Sequence, residues 1–366
     1  MSYHLPRLSL LSRSFPGAAL GLALGAAGCG GAVAPTVETT TEEPARASTP
    51  AGATLFAHFD DAPSAILLGR EYVYVATKTS KLNGVRSENG ALWAVSKATG
   101  ERYQLWADRF GSAPVGVARS GTELVLALGD GRVVALPERG GESRLAARTF
   151  GTPSHIVATG TDAVLRLSSD PSMIVTVGLG DGNVRMRNVP GAEMVSLAAE
   201  GDAVYVGMKT ASGGRVVRFS NDSRQDERSV ELTTAPCAMA ASASGLVITD
   251  GTTVLRYWDG RSAPASFVAN VPSSCALALT QERVFWATTA PEARSQTGSS
   301  AKASDGATAL LSRAMTTGSD SWTHEALGEV RWVTTDLPPV REASSDGAHV
   351  YVLTSDDVVR VAIGDK

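Results

Sequence analysis

The chain has 366 residues, 43% of them hydrophobic and 19% charged, with a formal net charge of -4. No Lys/Arg cluster stands ready to displace phosphate counterions, which argues against a nucleic-acid partner. Thirty-seven glycines in a Val- and Leu-rich text with few long helical patterns point to an all-β chain, one large domain or two smaller ones.

Residues 1–28 follow the charged, apolar, small-residue order of a secretory signal. Arg7 and Arg13 are the only full charges there, and an apolar run extends from Phe15 to Gly28. The run is too short and too rich in Gly and Ala for a membrane span of about 20 residues. Its end, Ala26-Ala27-Gly28-Cys29, resembles a bacterial lipobox, with Ala26 where that family usually carries Leu. The resemblance implies lipid on Cys29, and Gly30 in place of Asp implies the outer membrane of a cell envelope. A plain secretory signal cut nearby, with Cys29 incidental, is the alternative. Residues 29–52 hold Thr, Pro, Glu and Ala and almost nothing to bury, the composition of a disordered tether. The folded domain is expected over 53–366.

From residue 64 a unit of roughly 40 residues recurs. Its second strands are the clearest: YVYVAT (72–77), ELVLAL (123–128), AVLRLS (163–168), AVYVGM (203–208), GLVITD (245–250), RVFWAT (283–288) and HVYVLT (349–354). Each alternates with the period of a half-buried strand. The segments before them, from SAILLG (64–69) to VREASS (340–345), are rich in Ala, Gly and Ser, as expected of inner strands crowded about a propeller axis. Asp130-Gly131 and Asp250-Gly251 fall where second strands turn into third ones. LGDG (179–182) fits a turn from third to fourth strand. Fourth strands are read at RYQLWAD, SRLAART, VRMRNVP, RSVELTT, ASFVANV and WTHEALG (322–328), leaving VRWVTTD (330–336) unassigned. The seventh copy lacks its own fourth strand, and ATLFAHF (53–59) lacks a blade. The prediction is a seven-bladed β-propeller whose last blade is closed by that N-terminal strand, which removes an open edge. Six or eight blades, or a β-sandwich, are the competing architectures.

GALWAVSKATGERYQLW (90–106) resembles one repeat of the quinoprotein-type propeller. The other copies lack its closing Trp, no two cysteines are adjacent, and no carboxylate run has the spacing of a calcium loop. The resemblance therefore implies a blade and no cofactor, with Trp106 a packing aromatic. As architecture, residues 53–366 are similar to non-catalytic periplasmic propellers such as outer-membrane assembly lipoproteins of the BamB type.

His4, His58, His155, His324 and His349 show no paired-ligand spacing. His155 lies on an inner strand, either packed or lining the channel. Cys237 and Cys275 occupy one position of consecutive inner strands, a column read elsewhere as Val115, His155 and Val340. In an oxidising compartment they are candidates for a disulfide, against the alternative of two small buried residues. The two long loops, 77–90 and 288–308, would flank the seventh blade on one face. They offer Lys78, Lys81, Arg86 and Glu88 from the first, and Arg294, Lys302 and Asp305 from the second. The functional expectation is a lipid-anchored envelope module binding protein or glycan without catalysis. The alternative is a propeller enzyme (lyase, hydrolase or quinoprotein-like) acting at the channel mouth.

Overall fold

Strands with β-branched and aromatic residues on both faces need cover on both faces, and sheet-on-sheet packing supplies it. In Tyr72–Thr77 and Glu123–Leu128 every residue after the first is buried. The computed structural model describes residues 52–60, 63–78, 80–82, 85–87, 89–220, 223–243, 245–251, 254–258, 264–269, 275–280, 282–289, 308–314 and 331–363.

These residues form seven four-stranded antiparallel sheets and one small hairpin. From the inside outward, the first sheet comprises Pro63–Leu68, Tyr72–Thr77, Ala91–Ser96 and Arg102–Ala107. The second comprises Pro114–Ser120, Glu123–Leu128, Arg132–Pro137 and Arg144–Arg148. The third comprises Pro153–Ala158, Asp162–Leu167, Met173–Gly178 and Val184–Asn188, and the fourth Ala192–Glu200, Ala203–Thr210, Gly213–Ser220 and Ser223–Leu232. The fifth holds Ala238–Ser242, Gly245–Thr249, Val254–Trp258 and Ala265–Ala269, and the sixth Leu277–Leu279, Arg283–Thr289, Thr308–Ala314 and Arg331–Leu337. The seventh holds Glu342–Ser345, His349–Leu353 and Asp357–Ala362, with Ala53–His58 as its outer strand.

Each inner strand touches the inner strand of the next sheet, and that of the seventh touches that of the first. The sheets therefore stand around an axis as a β-propeller. Buried clusters lie between consecutive sheets, and Trp106 joins the one between the first and second. The cluster between seventh and first sheets gathers Phe56, Ala57, Tyr351 and Val358 against Val73, Val75 and Trp93. Leu55 pairs with Val359 in the closing strand.

Three sequence readings change. The sixth sheet takes its fourth strand from Arg331–Leu337, the segment left unassigned, while 322–328 lies outside the described residues. Alternation alone could not choose between two strand-like segments so close together. Within the loop 77–90, Ser80–Leu82 and Val85–Ser87 pair as a hairpin that sequence reasoning took for plain loop. The third change is a displaced register. The inner strands of the first three sheets shift register after their first residue, between Pro63 and Ala65, Pro114 and Gly116, and Pro153 and His155, and that of the fourth after its third, between Met194 and Ser196. The residues passed over are Ser64, Val115, Ser154 and Val195, and Cys237, Cys275 and Arg341 hold the same place just before Ala238, Ala276 and Glu342. Val115 thus shares the cysteines' column, but His155 sits one residue beyond it and Val340 one residue before. An extra bulge residue shifts everything after it by one, and the alternating text does not reveal it.

Candidate functional site

In a four-stranded meander, the loops from strand two to three and from strand four to the next sheet lie at one end. Backbone bonds confirm the grouping: Gly129 N–H donates to Ala113 O at 2.9 Å, and Thr149 N–H donates to Gly131 O at 2.7 Å. Inner strands begin at this loop face and second strands end there. A cavity of about 790 Å³, lined by all seven inner strands, draws its walls from those starts and ends and so lies toward the loop face.

One level of that cavity is set by register. His155 faces Arg166, Ser196 faces Gly207 and Glu342 faces Leu353, at positions where the first two sheets carry Ala65 and Gly116. The Arg166 guanidinium donates from Nη1 to the carbonyl of Val195, a bulge residue, at 3.0 Å. Its Nε is buried without a hydrogen-bond partner, and so is Ser196 Oγ. Burial first, and the Arg166 charge second, push the His155 pKa down to about 4. Burial raises Glu342 to about 7, against the opposing pull of the Ile66 N–H, which donates to its Oε2 at 3.1 Å. Both side chains remain partly accessible. Each side chain lines the cavity and is packed by the sheets on its other sides, and that packing disfavours the charged form.

At the same end, Cys237 and Cys275 are joined by a disulfide with Cα atoms 5.6 Å apart. Both sulfurs press on the turn of the fifth sheet. A Cβ placed on Gly251, whose φ is +76°, would lie 2.7 Å from Cys237 Sγ and 2.8 Å from Cys275 Sγ. The Asp-Gly pair thus provides the turn and the space for the bridge together.

A second, smaller concavity of about 340 Å³ lies between the first two sheets, walled by Leu105, Trp106, Val134 and Leu145. Arg132 organises its rim, donating from Nη2 to Asp108 at 3.0 Å and from Nε to Asp130 at 2.7 Å. Burial pushes the Asp130 carboxyl up, but its bonds and charge contact with Arg132 outweigh that and hold it below the usual range. The Arg132 guanidinium lies 5.1 Å from the centre of the Phe110 ring. Phe110 is 77% exposed, and Phe150, on the next loop of the same kind, is 86% exposed.

Of the residues named from sequence, His155, Lys78, Cys237 and Cys275 line the axial cavity together. Lys81 and Arg86 are cross-strand partners in the small hairpin. Cys29, Glu88, Arg294, Lys302 and Asp305 lie outside the described residues, as do residues 1–51. Phe110, Phe150, Arg166 and Glu342 escaped the sequence reading. Arg166 did leave a signal, a charge in the otherwise apolar strand AVLRLS, and Phe110 and Phe150 each precede a Gly just before a new inner strand.

No family model and no curated protein matches the chain. Its likeness is to solved structures. The β-propeller domain of Cps50 (Swd1) from Myceliophteria thermophila aligns over 85% of this chain and 99% of its own, at 10% identity and a TM-score of 0.58. A chain of the mitotic checkpoint complex aligns over 90% of this chain and 100% of its own, at 12% identity and a TM-score of 0.59. BamB from Moraxella catarrhalis aligns over 86% of this chain and 98% of its own, at 12% identity and a TM-score of 0.51. The class defined by sheets and likenesses together is the β-propeller, and at such identities the likeness extends to the fold alone.

Proposed function

We propose that the chain is a non-catalytic binding module of a bacterial cell envelope, its seven sheets counted as seven blades and its partner a protein held at the loop face. The observation that carries this reading is the pair of exposed rings, Phe110 and Phe150, on consecutive loops of one face, the first of them lining the smaller concavity. Large apolar side chains grouped on a rigid surface favour association, because burying each phenyl ring removes substantial apolar area from water. Residues 1–28 act as the signal, Cys29 takes the lipid that anchors the protein at the outer membrane, and 29–52 hold the domain 53–366 off the surface. The sequence supports each of these steps. Two signals hold such an anchor best, so a bound partner would strengthen retention.

The test is site-specific photocrosslinking in intact cells. A photoreactive residue at position 110 or 150 should trap one protein partner, and the same residue at Arg139, exposed between the third and fourth strands at the opposite end, should trap none. Equal labelling from both ends would overturn the reading, and labelling of glycan alone would replace protein by glycan as the partner. Cys29→Ser should move the protein from the membrane to the soluble fraction; an unchanged distribution would remove the lipid anchor.

A further inference from the structure

We propose that the axial cavity is a binding site for a small oxyanion, a metabolite-sized molecule carrying carboxylate or phosphate groups. Ligand pockets typically enclose about 300–1,000 Å³, and this one, at about 790 Å³, admits such a molecule. Its charge has one dominant sign. Lys78, Arg166 and Arg341 line it, and among the described lining residues Glu342 is the only carboxylate. Burial suppresses the Glu342 charge, so near neutral pH the cations are poorly balanced.

The hydrogen-bonding groups agree with the charge. Arg166 is fixed by its bond to the Val195 carbonyl, which leaves Nε–H buried without an acceptor. Ser196 Oγ is a second buried group with no partner, and His155, kept neutral, offers one N–H. A buried donor without an acceptor is costly, and a guanidinium more so. An oxyanion seated in the cavity against the accessible edge of the Arg166 guanidinium and against His155 would form charge-assisted bonds there. Arg341, exposed and on the bulge position of the seventh sheet, would meet a second anionic group near the loop face.

The experiment is calorimetric titration of the purified full-length chain with citrate and, separately, with inorganic phosphate at low salt. Saturable one-site binding is expected, with the preferred probe telling carboxylate from phosphate. Arg166→Gln and Arg341→Gln should each weaken that binding about tenfold, while Arg139→Gln at the far end leaves it unchanged. Arg341 is exposed, so its variant reports on binding even if Arg166→Gln fails to fold. Absence of saturable binding to both probes, or a folded Arg341→Gln variant that binds like the wild type, would overturn the proposal. Phe110→Ala should abolish partner crosslinking and leave anion binding intact, so the two readings fail separately.

Discussion

Two junctions of the ring differ in what holds them. Between the seventh and first sheets the fastening is noncovalent. Ala53–His58 hydrogen-bonds along Asp357–Ala362, and Phe56 packs edge-on against Tyr351 at 5.2 Å between ring centres. Lys97 adds an ion pair to Asp346 at 2.8 Å near the opposite end. Between the fifth and sixth sheets, whose inner strands also touch, the described residues include the Cys237–Cys275 bridge, set just before both inner strands. One junction thus adds a ladder of backbone bonds to its packed side chains, and the other adds a covalent link between inner strands. The first should govern whether the ring exists, the second only how stable it is.

The largest effect should follow removal of residues 53–58. The seventh sheet then has an open edge and the buried Phe56 side chain is lost, a change whose single-residue form, Phe56→Ala, costs about 3–5 kcal/mol. Deletion should abolish the cooperative thermal transition followed by circular dichroism. Cys237→Ser with Cys275→Ser should come next. Opening a crosslink across 38 residues should lower stability by about 2–4 kcal/mol in urea while leaving one cooperative transition. A larger loss from the serine pair than from the deletion would reverse the ranking of the two junctions.

Gly251→Ala sharpens the second half of the comparison. It places a Cβ against both sulfurs and imposes positive φ on a side chain, with an expected cost of about 2 kcal/mol. In the double-serine background the cost should fall, and equal cost in both backgrounds in a double-mutant cycle would deny any coupling between turn and bridge.

The smallest effect is one of pH. The folded pKa of Glu342 lies near 7, above its ordinary 4.5. Stability from the protonated group is therefore complete below pH 4.5 and falls as pH climbs through about 7. Discounted for the partial exposure of Glu342, the loss is on the order of 1 kcal/mol. Glu342→Gln should match the wild type at acid pH and exceed it at pH about 8 in denaturant melts; a variant less stable at pH about 8 would show that the carboxylate is stabilising there.

Much of the ring was legible because its strands repeat a rigid demand. Second strands from YVYVAT to HVYVLT are covered on both faces over most of their length and so are mostly apolar, and small inner strands must fit around an axis. The closing role of ATLFAHF followed from a count of strands, a global property that survives local errors. The site was less legible because bulges and loops set it. One inserted residue in the third inner strand decides whether His155 or Ser154 shares a column with the cysteines, and period-2 text is blind to it. Similarly, Arg331–Leu337 and the segment before it have comparable strand character, and only tertiary pairing selects one. Exposed Phe110 and Phe150 read as ordinary apolar residues until their loops are placed.

The closing ladder joins residues as distant as Thr54 and Arg360, 306 positions apart. During synthesis, Leu55 and Phe56 emerge early and can find their native neighbours only after the seventh sheet has been made. Until then an apolar edge strand has no mate, which exposes the incomplete chain to mispairing with other copies. Ring closure is thus a late, long-range event with a large loop-closure entropy behind it, and a helper that shields this one segment would protect the whole assembly line of blades.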